Sequence, residues 1–330
     1  MHGALLCLVS AAGFGTLGIF GKLASDAGAS VTSTLFVRFG LAALVFAAVI
    51  AVSGRMAELR RLPRRVVLTG LALGAAGYSL QSGLYFAAIG RLDVSLVSLL
   101  LYTYPAFVTL AALALGRAAP SLRAGAALTM ASVGLALVLL TAGMGDFDVT
   151  GALLALGASL TYTTYILVSD GVVGEVDPFV LSALVLGGAT ASFAVAGLAG
   201  GTLDLALGAD AWLWLVLIAL VSTVVAVSAF FAGLRRVGPS EAAILSTFEP
   251  IVTVALAFVV LGERLSAPQL AGGALVLAAV VLLQLRRAPA NVNGGRVGER
   301  RPGSGRSVRV RTRFPAPRRA ELVDGRETRV

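Results

Sequence analysis

Long apolar stretches separated by short polar breaks run through the first 285 residues. A membrane hydrocarbon core of about 30 Å is crossed by roughly 20 apolar residues in a helix. Charges and turn residues end the stretches, as at 55–65 and 175–178. The pattern predicts an all-α integral membrane protein with ten transmembrane helices, near 3–24, 32–53, 66–89, 94–115, 122–141, 150–169, 179–199, 211–234, 240–261 and 268–285.

The Lys and Arg residues are unevenly distributed over the short loops between these spans. With the N-terminus inside the cell, the inner loops carry nine of them and the outer loops three. Positive loop residues are enriched on the cytoplasmic side of membranes. We therefore predict a multi-pass plasma-membrane protein with both termini in the cytoplasm.

Charge is scarce in the body of the chain and concentrated at its end. Charged residues make up 13% of the chain, about half of the roughly 25% that is typical of soluble domains. Up to Leu285 the 13 Lys and Arg residues are balanced by 13 Asp and Glu residues, so the net charge of +9 lies beyond it. Residues 288–330 are predicted to form a disordered basic cytoplasmic tail. Attraction to anionic lipid is one role for it, and a solvated extension is the other.

An internal repeat joins residues 85–105 to residues 230–250 at an offset of 145 without a gap. Apolar helices match by composition alone, so the paired polar residues and prolines carry most of the signal. The identities are Phe86/Phe231, Ala87/Ala232, Arg91/Arg236, Ser95/Ser240, Leu100/Leu245 and Pro105/Pro250.

Five spans in each repeat have a geometric consequence. After an odd number of crossings the second repeat enters from the opposite side of the membrane, so the repeats are inverted. Many transporters have this organisation, with the substrate near mid-membrane between the halves. We expect a first repeat over 1–144 and a second over 145–287. Two halves that form a scaffold without a pathway are the alternative.

The chain resembles the EamA-like family of the drug/metabolite transporter superfamily over residues 3 to about 285. The resemblance is carried by the two-repeat layout and by Gly13-Phe14-Gly15, Arg38, Pro105, Glu249-Pro250 and Leu261-Gly262-Glu263-Arg264-Leu265. It implies a carrier, commonly an exporter, of amino acids or related metabolites.

Two places depart from the family pattern. The Leu-Gly-Glu ending of the ninth span is echoed in the fourth by Leu115-Gly116-Arg117, which lacks the acid. The sixth span has Leu160-Thr161-Tyr162 where relatives often place Trp. These departures weaken any transfer of substrate identity from the family.

Several enzyme classes are excluded by residue counts. His2 is the only histidine and Cys7 the only cysteine, which removes His-based catalysis and His/Cys metal clusters. No Walker-type motif occurs, and the G-x-G-x-x-G match at 13–18 lies inside an apolar span. Close helix packing explains those glycines, and also Gly70 and Gly74. We expect no enzyme, no cofactor and no nucleic-acid partner.

Glu249 is the strongest candidate for a functional residue. It is the tenth residue of its span, roughly 14 Å deep at 1.5 Å per residue. A carboxylate there costs on the order of 2.5–3.5 kcal/mol even on the permissive insertion scale. Pro250 lacks an N–H and leaves the Ser246 carbonyl without its helix partner, so Ser246, Thr247 and Glu249 gather acceptors at one level. Glu249 either binds an amine or a coupling proton, or it caps the kink.

Arg38 is the second candidate, roughly 9 Å from the outer surface by helical rise. Its guanidinium either reaches the interface by snorkelling or faces the pathway and attracts a carboxylate or phosphate.

Hydroxyl, aromatic and amide side chains in the third, fourth and sixth spans form the remaining constellation. All six tyrosines of the chain lie there. Buried Tyr hydroxyls need partners, so they line a polar cavity or bond helix to helix. Tyr85 is a candidate for an interfacial aromatic belt. The further candidates for substrate binding are Tyr78, Gln81, Tyr102, Tyr104, Tyr162 and Tyr165, and Pro105 and Pro250 are the expected kinks.

These observations favour a secondary transporter that moves a small polar metabolite by alternating access, with protons as a candidate coupling ion. One acid, one base and several hydroxyls suit a zwitterion such as an amino acid, and also quaternary amines, nucleosides and sugars. A membrane-embedded scaffold or a lipid-related, flippase-type protein is the alternative.

Overall fold

The computed structural model describes residues 2–140, 148–173 and 176–285, which fold into helices without a strand. The predicted tail 288–330 lies outside these ranges. Successive helices continue one another as rods, labelled in chain order. They are α1 (His2–Asp26), α2 (Val31–Val52), α3 (Arg64–Ala72, Leu73–Tyr78 and Ser79–Ile89), α4 (Val94–Ala114), α5 (Leu122–Leu140), α6 (Val149–Val173), α7 (Pro178–Gly200), α8 (Ala209–Val237), α9 (Pro239–Ser246, Phe248–Leu256 and Ala257–Leu261) and α10 (Ala267–Gln284). A short helix, Met56–Arg61, precedes α3.

The third rod differs from the others in polarity. Among the described residues, nine rods are long and apolar enough to cross a membrane, and α3 is the exception. It is helical throughout 64–89. Tyr78, Ser79, Gln81 and Ser82 near its middle make it more polar than a lipid-facing helix.

Several contacts between rods have a counterpart when each rod of one half is replaced by the corresponding rod of the other half. The rods α2 and α7, α4 and α9, and α5 and α10 are in contact as matched pairs. The pair α1–α8 has its counterpart in α6–α3, and α1–α9 in α6–α4. Exchanging the first five rods for the last five thus reproduces these particular contacts.

Irregular turns also occur at matched places in the halves. A π-helical segment occupies Leu73–Tyr78 in α3 and another occupies Leu220–Val225 in α8. The rod α4 is interrupted at positions 102–103 and α9 at position 247, which again differ by about the offset of the sequence repeat. Such mid-helix irregularities often mark functional positions.

Glycines allow close helix contacts between the halves. A Cβ atom on Gly134 would lie 2.6 Å from the Gly272 carbonyl oxygen, and a Cβ on Gly272 equally close to that of Gly134. At Gly74 an added Cβ would overlap the Val185 carbonyl. Small residues that let backbones approach are a general feature of membrane helix interfaces.

An ion pair lies at each end of the bundle. At the end where α6 ends and α7 begins (the α6–α7 end), Arg55 pairs with Asp177 at 3.1 Å. At the end where α3 ends and α4 begins (the α3–α4 end), Arg91 pairs with Asp148 at 3.2 Å.

Candidate functional site

The break in α9 is satisfied by a side chain from the other half. Pro250 cannot donate to the Ser246 carbonyl, as the sequence predicts. The Tyr102 hydroxyl lies 3.0 Å from that carbonyl oxygen and 2.8 Å from Glu249 Oε2. Tyr102 itself stands at the break in α4 and is buried. The two helix breaks therefore meet, and one phenol joins them.

Arg38 lies inside the protein, with only 2% of its surface exposed. Its Nε donates to Thr223 Oγ1 at 3.0 Å, and its Nη2 to the Tyr78 hydroxyl at 3.3 Å. The guanidinium carbon is 4.9 Å from the centre of the Phe39 ring. The snorkelling alternative is wrong, because this side chain is held by three neighbouring groups within the bundle.

The π-helical segment of α8 places the Thr223 hydroxyl at Arg38. Thr223 Oγ1 donates to the Ile218 carbonyl, five residues earlier, at 3.0 Å. With its proton used there, the oxygen accepts from Arg38. Sequence reasoning missed Thr223, although a Ser-Thr pair inside an otherwise apolar span was the available signal.

Arg38 and Glu249 face the same chamber without pairing. The ion pairs within the described ranges join Lys22 to Asp26, Arg55 to Asp177 and Arg91 to Asp148. Both Arg38 and Glu249 line a chamber of about 110 Å³. Within the described residues, neither Arg38 nor Glu249 takes part in an ion pair.

A larger chamber of about 360 Å³ adjoins the first. The two chambers share a wall formed by Phe14, Tyr78, Tyr102, Tyr104, Tyr162 and Glu249. The larger chamber extends to Ser169, Pro178 and Phe231 at the α6–α7 end. We call the two chambers together the central cavity.

Tyrosine rings connect the two charged groups along the wall of this cavity. Ring centres are 5.9 Å apart for Tyr102–Tyr104, 4.7 Å for Tyr104–Tyr162, 6.1 Å for Tyr162–Tyr165 and 5.8 Å for Tyr165–Tyr78. Tyr102 contacts Glu249 and Tyr78 contacts Arg38. Aromatic faces of this kind attract cations and apolar groups.

The structure brings nearly all the predicted residues to the central cavity. Those lining it are Arg38, Tyr78, Gln81, Tyr102, Tyr104, Tyr162, Tyr165, Ser246 and Glu249. Thr247 does not line it, since its hydroxyl donates to the Ile244 carbonyl of its own helix at 2.6 Å. Tyr85 is buried, not interfacial, and lines the smaller chamber with Ser82 and Ser98. The kink residue Pro105 is buried beside the break in α4.

The Leu-Gly-Glu ending of α9 has a specific contact. Glu263 Oε1 accepts from the Val94 N–H at 2.7 Å, and Oε2 accepts from the Ser95 N–H at 2.9 Å and the Ser95 hydroxyl at 2.6 Å. The carboxylate thus caps the first turn of α4, where free N–H groups favour an anion.

Membrane-length helices around a charged, tyrosine-lined cavity define a multi-span membrane protein with a polar interior. The profile of the EamA-like transporter family matches residues 1–140 and again 149–285. The chain belongs to the EamA-like transporter family and is a membrane transporter, which confirms the resemblance inferred from its sequence.

Two other comparisons agree with this assignment. An uncharacterized transporter of Archaeoglobus fulgidus is 27% identical over 198 residues, which span 60% of this chain and 70% of that protein. A solved crystal structure superposes with a TM-score of 0.60 at 21% identity, covering 85% of this chain and 96% of the other. That likeness establishes a shared fold.

Proposed function

We propose that the protein is a secondary transporter that exports a small zwitterionic metabolite, an amino acid or a related compound, across the plasma membrane by alternating access. Ten transmembrane helices form two inverted repeats, with α3 among the spans and both termini cytoplasmic. The α6–α7 end then faces the cytoplasm and the α3–α4 end faces outward.

The matched features of the halves support the inverted arrangement. Contacts between rods persist when the halves are exchanged, and the π-helical segments and helix breaks recur at corresponding positions. Five membrane crossings per half would reverse the second half relative to the first. The polarity of α3 fits a helix that turns one face to the central cavity.

The shared cavity of Arg38 and Glu249 is the observation that carries the proposal. A substrate carboxylate fits the buried guanidinium, whose planar donors suit carboxylates. A substrate ammonium fits Glu249 among the tyrosine faces. The cavity reaches Phe231 and Pro178 at the cytoplasmic end, so this conformation takes up its substrate from inside.

Hydrogen-bond counting at Tyr102 supports proton coupling. A phenol has one proton to donate, yet the Tyr102 oxygen lies near both the Ser246 carbonyl and Glu249 Oε2. A proton on Glu249 satisfies both contacts, because Tyr102 then donates to the carbonyl and accepts from the carboxyl group. An entering ammonium would replace that proton, which gives exchange of substrate for protons.

Purified protein in liposomes tests the proposal with three matched solutes: an amino acid, its decarboxylated amine and its deaminated acid. The amino acid should be exchanged fastest, and an imposed pH gradient should drive it. Glu249→Gln should abolish the pH effect, whereas the control Glu241→Gln, an exposed carboxylate of the same rod, should not. Equal rates for all three solutes would contradict the assignment.

A scaffold or lipid-related role is an outcome of the same experiment. Such a protein would exchange none of the three solutes above protein-free liposomes. If the basic tail were the working part, removing 288–330 would abolish the cellular phenotype. For a transporter we expect that removal to leave exchange largely unchanged.

A further inference from the structure

A separate depression lies at the outer end of the bundle. It has a volume of about 470 Å³ and is bounded by α1, α2, α3 and the start of α6. Its lining includes Gly21, Thr34, Phe86, and the ion pair of Arg91 with Asp148. It shares no lining residue with the central cavity.

The wall between this outer depression and the central cavity is thin. Thr34 and Arg38 are one turn apart on α2, about 6 Å by helical rise; Thr34 lines the depression and Arg38 lines the cavity. Phe86 is among the residues that line the depression, and its ring centre is 5.9 Å from the Arg38 guanidinium carbon. Phe86 therefore links the lining of the depression to the guanidinium group of Arg38.

Phe86 is seated on a glycine. A Cβ atom at Gly21 would lie 2.8 Å from Phe86 Cε1 and 3.0 Å from Ile89 Cδ1. The ring is 3% exposed. A side chain of any size at position 21 would push against this ring, so the observed packing of Phe86 requires glycine there.

The repeat partner of Phe86 stands in a different setting. Phe231, at the offset of 145, is half-buried and lines the larger chamber at the cytoplasmic end. Its ring centre is 6.1 Å from that of Phe179 and 5.7 Å from that of Phe230. Phe86 is thus buried between the depression and the helices around it, whereas Phe231 is half-buried at the cytoplasmic end of the larger chamber.

We infer that Phe86 is the outer gate and Phe231 the inner gate of a single pathway, and that the outer depression is the pathway's external mouth. The inference rests on the proposed function. Inverted repeats exchange conformations when access alternates. In the outward-open state Phe231 then closes the inner mouth and Phe86 stands aside.

Thiol labelling from outside tests the outer gate without any substrate. In a Cys7→Ser background, Ser246→Cys provides one thiol in the larger chamber. A small impermeant methanethiosulfonate reagent applied outside should react slowly with it. Phe86→Ala should speed this labelling by about tenfold or more, since a shift of that size follows from a modest change in the state populations. If the alanine variant fails to fold, Phe86→Leu should still label faster than the parent, by less than the tenfold expected for alanine.

Phe46→Ala is the matched control, because Phe46 is equally buried in the same core and lines neither space. It should leave external labelling unchanged. Phe231→Ala should not accelerate external labelling, because it removes a contact of the outward-open state. An unchanged labelling rate in folded Phe86→Ala or Phe86→Leu protein, or equal acceleration by Phe46→Ala, overturns the gate. Amino acid exchange can persist in that case, whereas failure of the proposed function would appear as no exchange by the parent protein.

Discussion

Tyr102 and Glu249 join the halves of this transporter at the level where both helix breaks occur, with 2.8 Å between the phenol oxygen and Oε2. The contact combines a residue of α4 with a residue of α9, rods that correspond in the repeat. At the offset of 145, the first-half counterpart of Glu249 is Tyr104. Only the second half thus carries an acidic residue at this position, so the cavity is chemically asymmetric although the two halves have corresponding helices.

Tyr102→Phe should destabilise the protein and weaken substrate binding. The substitution leaves the Ser246 carbonyl without its side-chain donor, which typically costs about 1–3 kcal/mol for a buried polar group. Thermal unfolding and equilibrium binding of the amino acid measure the two effects. Tyr165→Phe, on the same cavity wall, is the control, and an equal loss there would remove the special role of Tyr102.

Thr223→Val should lower affinity for substrates that carry a carboxylate. The change removes the acceptor of Arg38 Nε, so the guanidinium loses one of the contacts that orient it. Binding of the decarboxylated amine should change less than twofold in the same variant. The control Thr164→Val removes only an intrahelical bond to Leu160. If amine and amino acid lose affinity equally, Thr223 does not act through Arg38.

Glu263→Gln should loosen the outer end. A neutral amide has one acceptor oxygen, whereas the carboxylate receives three hydrogen bonds from Val94 and Ser95. We expect faster external labelling of a cavity thiol and a lower thermal midpoint. Arg264→Gln, at the exposed neighbouring position, should change neither measurement. If Glu263→Gln also changed neither, the contact of Glu263 with α4 would not hold the outer end together.

Two carboxylates near the outer end should respond to pH in opposite directions. Burial, and then the charge of Glu263, raise the pKa of Asp93. Asp93 therefore destabilises the folded protein increasingly as pH rises from 3.8 through the raised value. The Gly151 N–H, followed by Arg91, lowers the pKa of Asp148. Its stabilising contribution is therefore present at neutral pH and is lost as pH falls from 3.8 through the lowered value. Near pH 7, Asp93→Asn should raise the thermal midpoint and Asp148→Asn should lower it. Shifts of the same sign would contradict these assignments.

Gly74→Ala should destabilise the contact of α3 with α7. The added methyl group overlaps the Val185 carbonyl, and overpacking of this kind typically costs about 1–3 kcal/mol. Gly125→Ala is the matched control, since nothing lies within 4 Å of its added Cβ. Detergent-solubilised thermal unfolding compares them. A neutral Gly74→Ala would mean that these rods separate easily.

The lengths of the apolar runs predict the helices well, because the thickness of the membrane sets the length of a spanning helix. Glu249 and Arg38 can be identified from the sequence because a charged residue inside an apolar span is rare. Rotation of each helix about its axis could not be predicted, so Thr247 was assigned to the site and Thr223 was missed. The π-helical segment that turns Thr223 toward Arg38 leaves no pattern in the apolar residues. Tyr85 was ambiguous for the same reason, since position along a span does not say which neighbour the ring meets.

Equilibrium binding by calorimetry tests the central claim most directly, with the amino acid and its decarboxylated amine measured on parent, Arg38→Lys and Glu249→Gln proteins. Arg38→Lys should weaken the amino acid by about tenfold, the effect of roughly 1.4 kcal/mol, and leave the amine unchanged. Glu249→Gln should weaken both ligands. The account would be contradicted if Arg38→Lys lowered the affinity for the amine as much as that for the amino acid, or if Glu249→Gln left both affinities intact. In either case Arg38 and Glu249 would not bind the carboxylate and the ammonium group of the substrate.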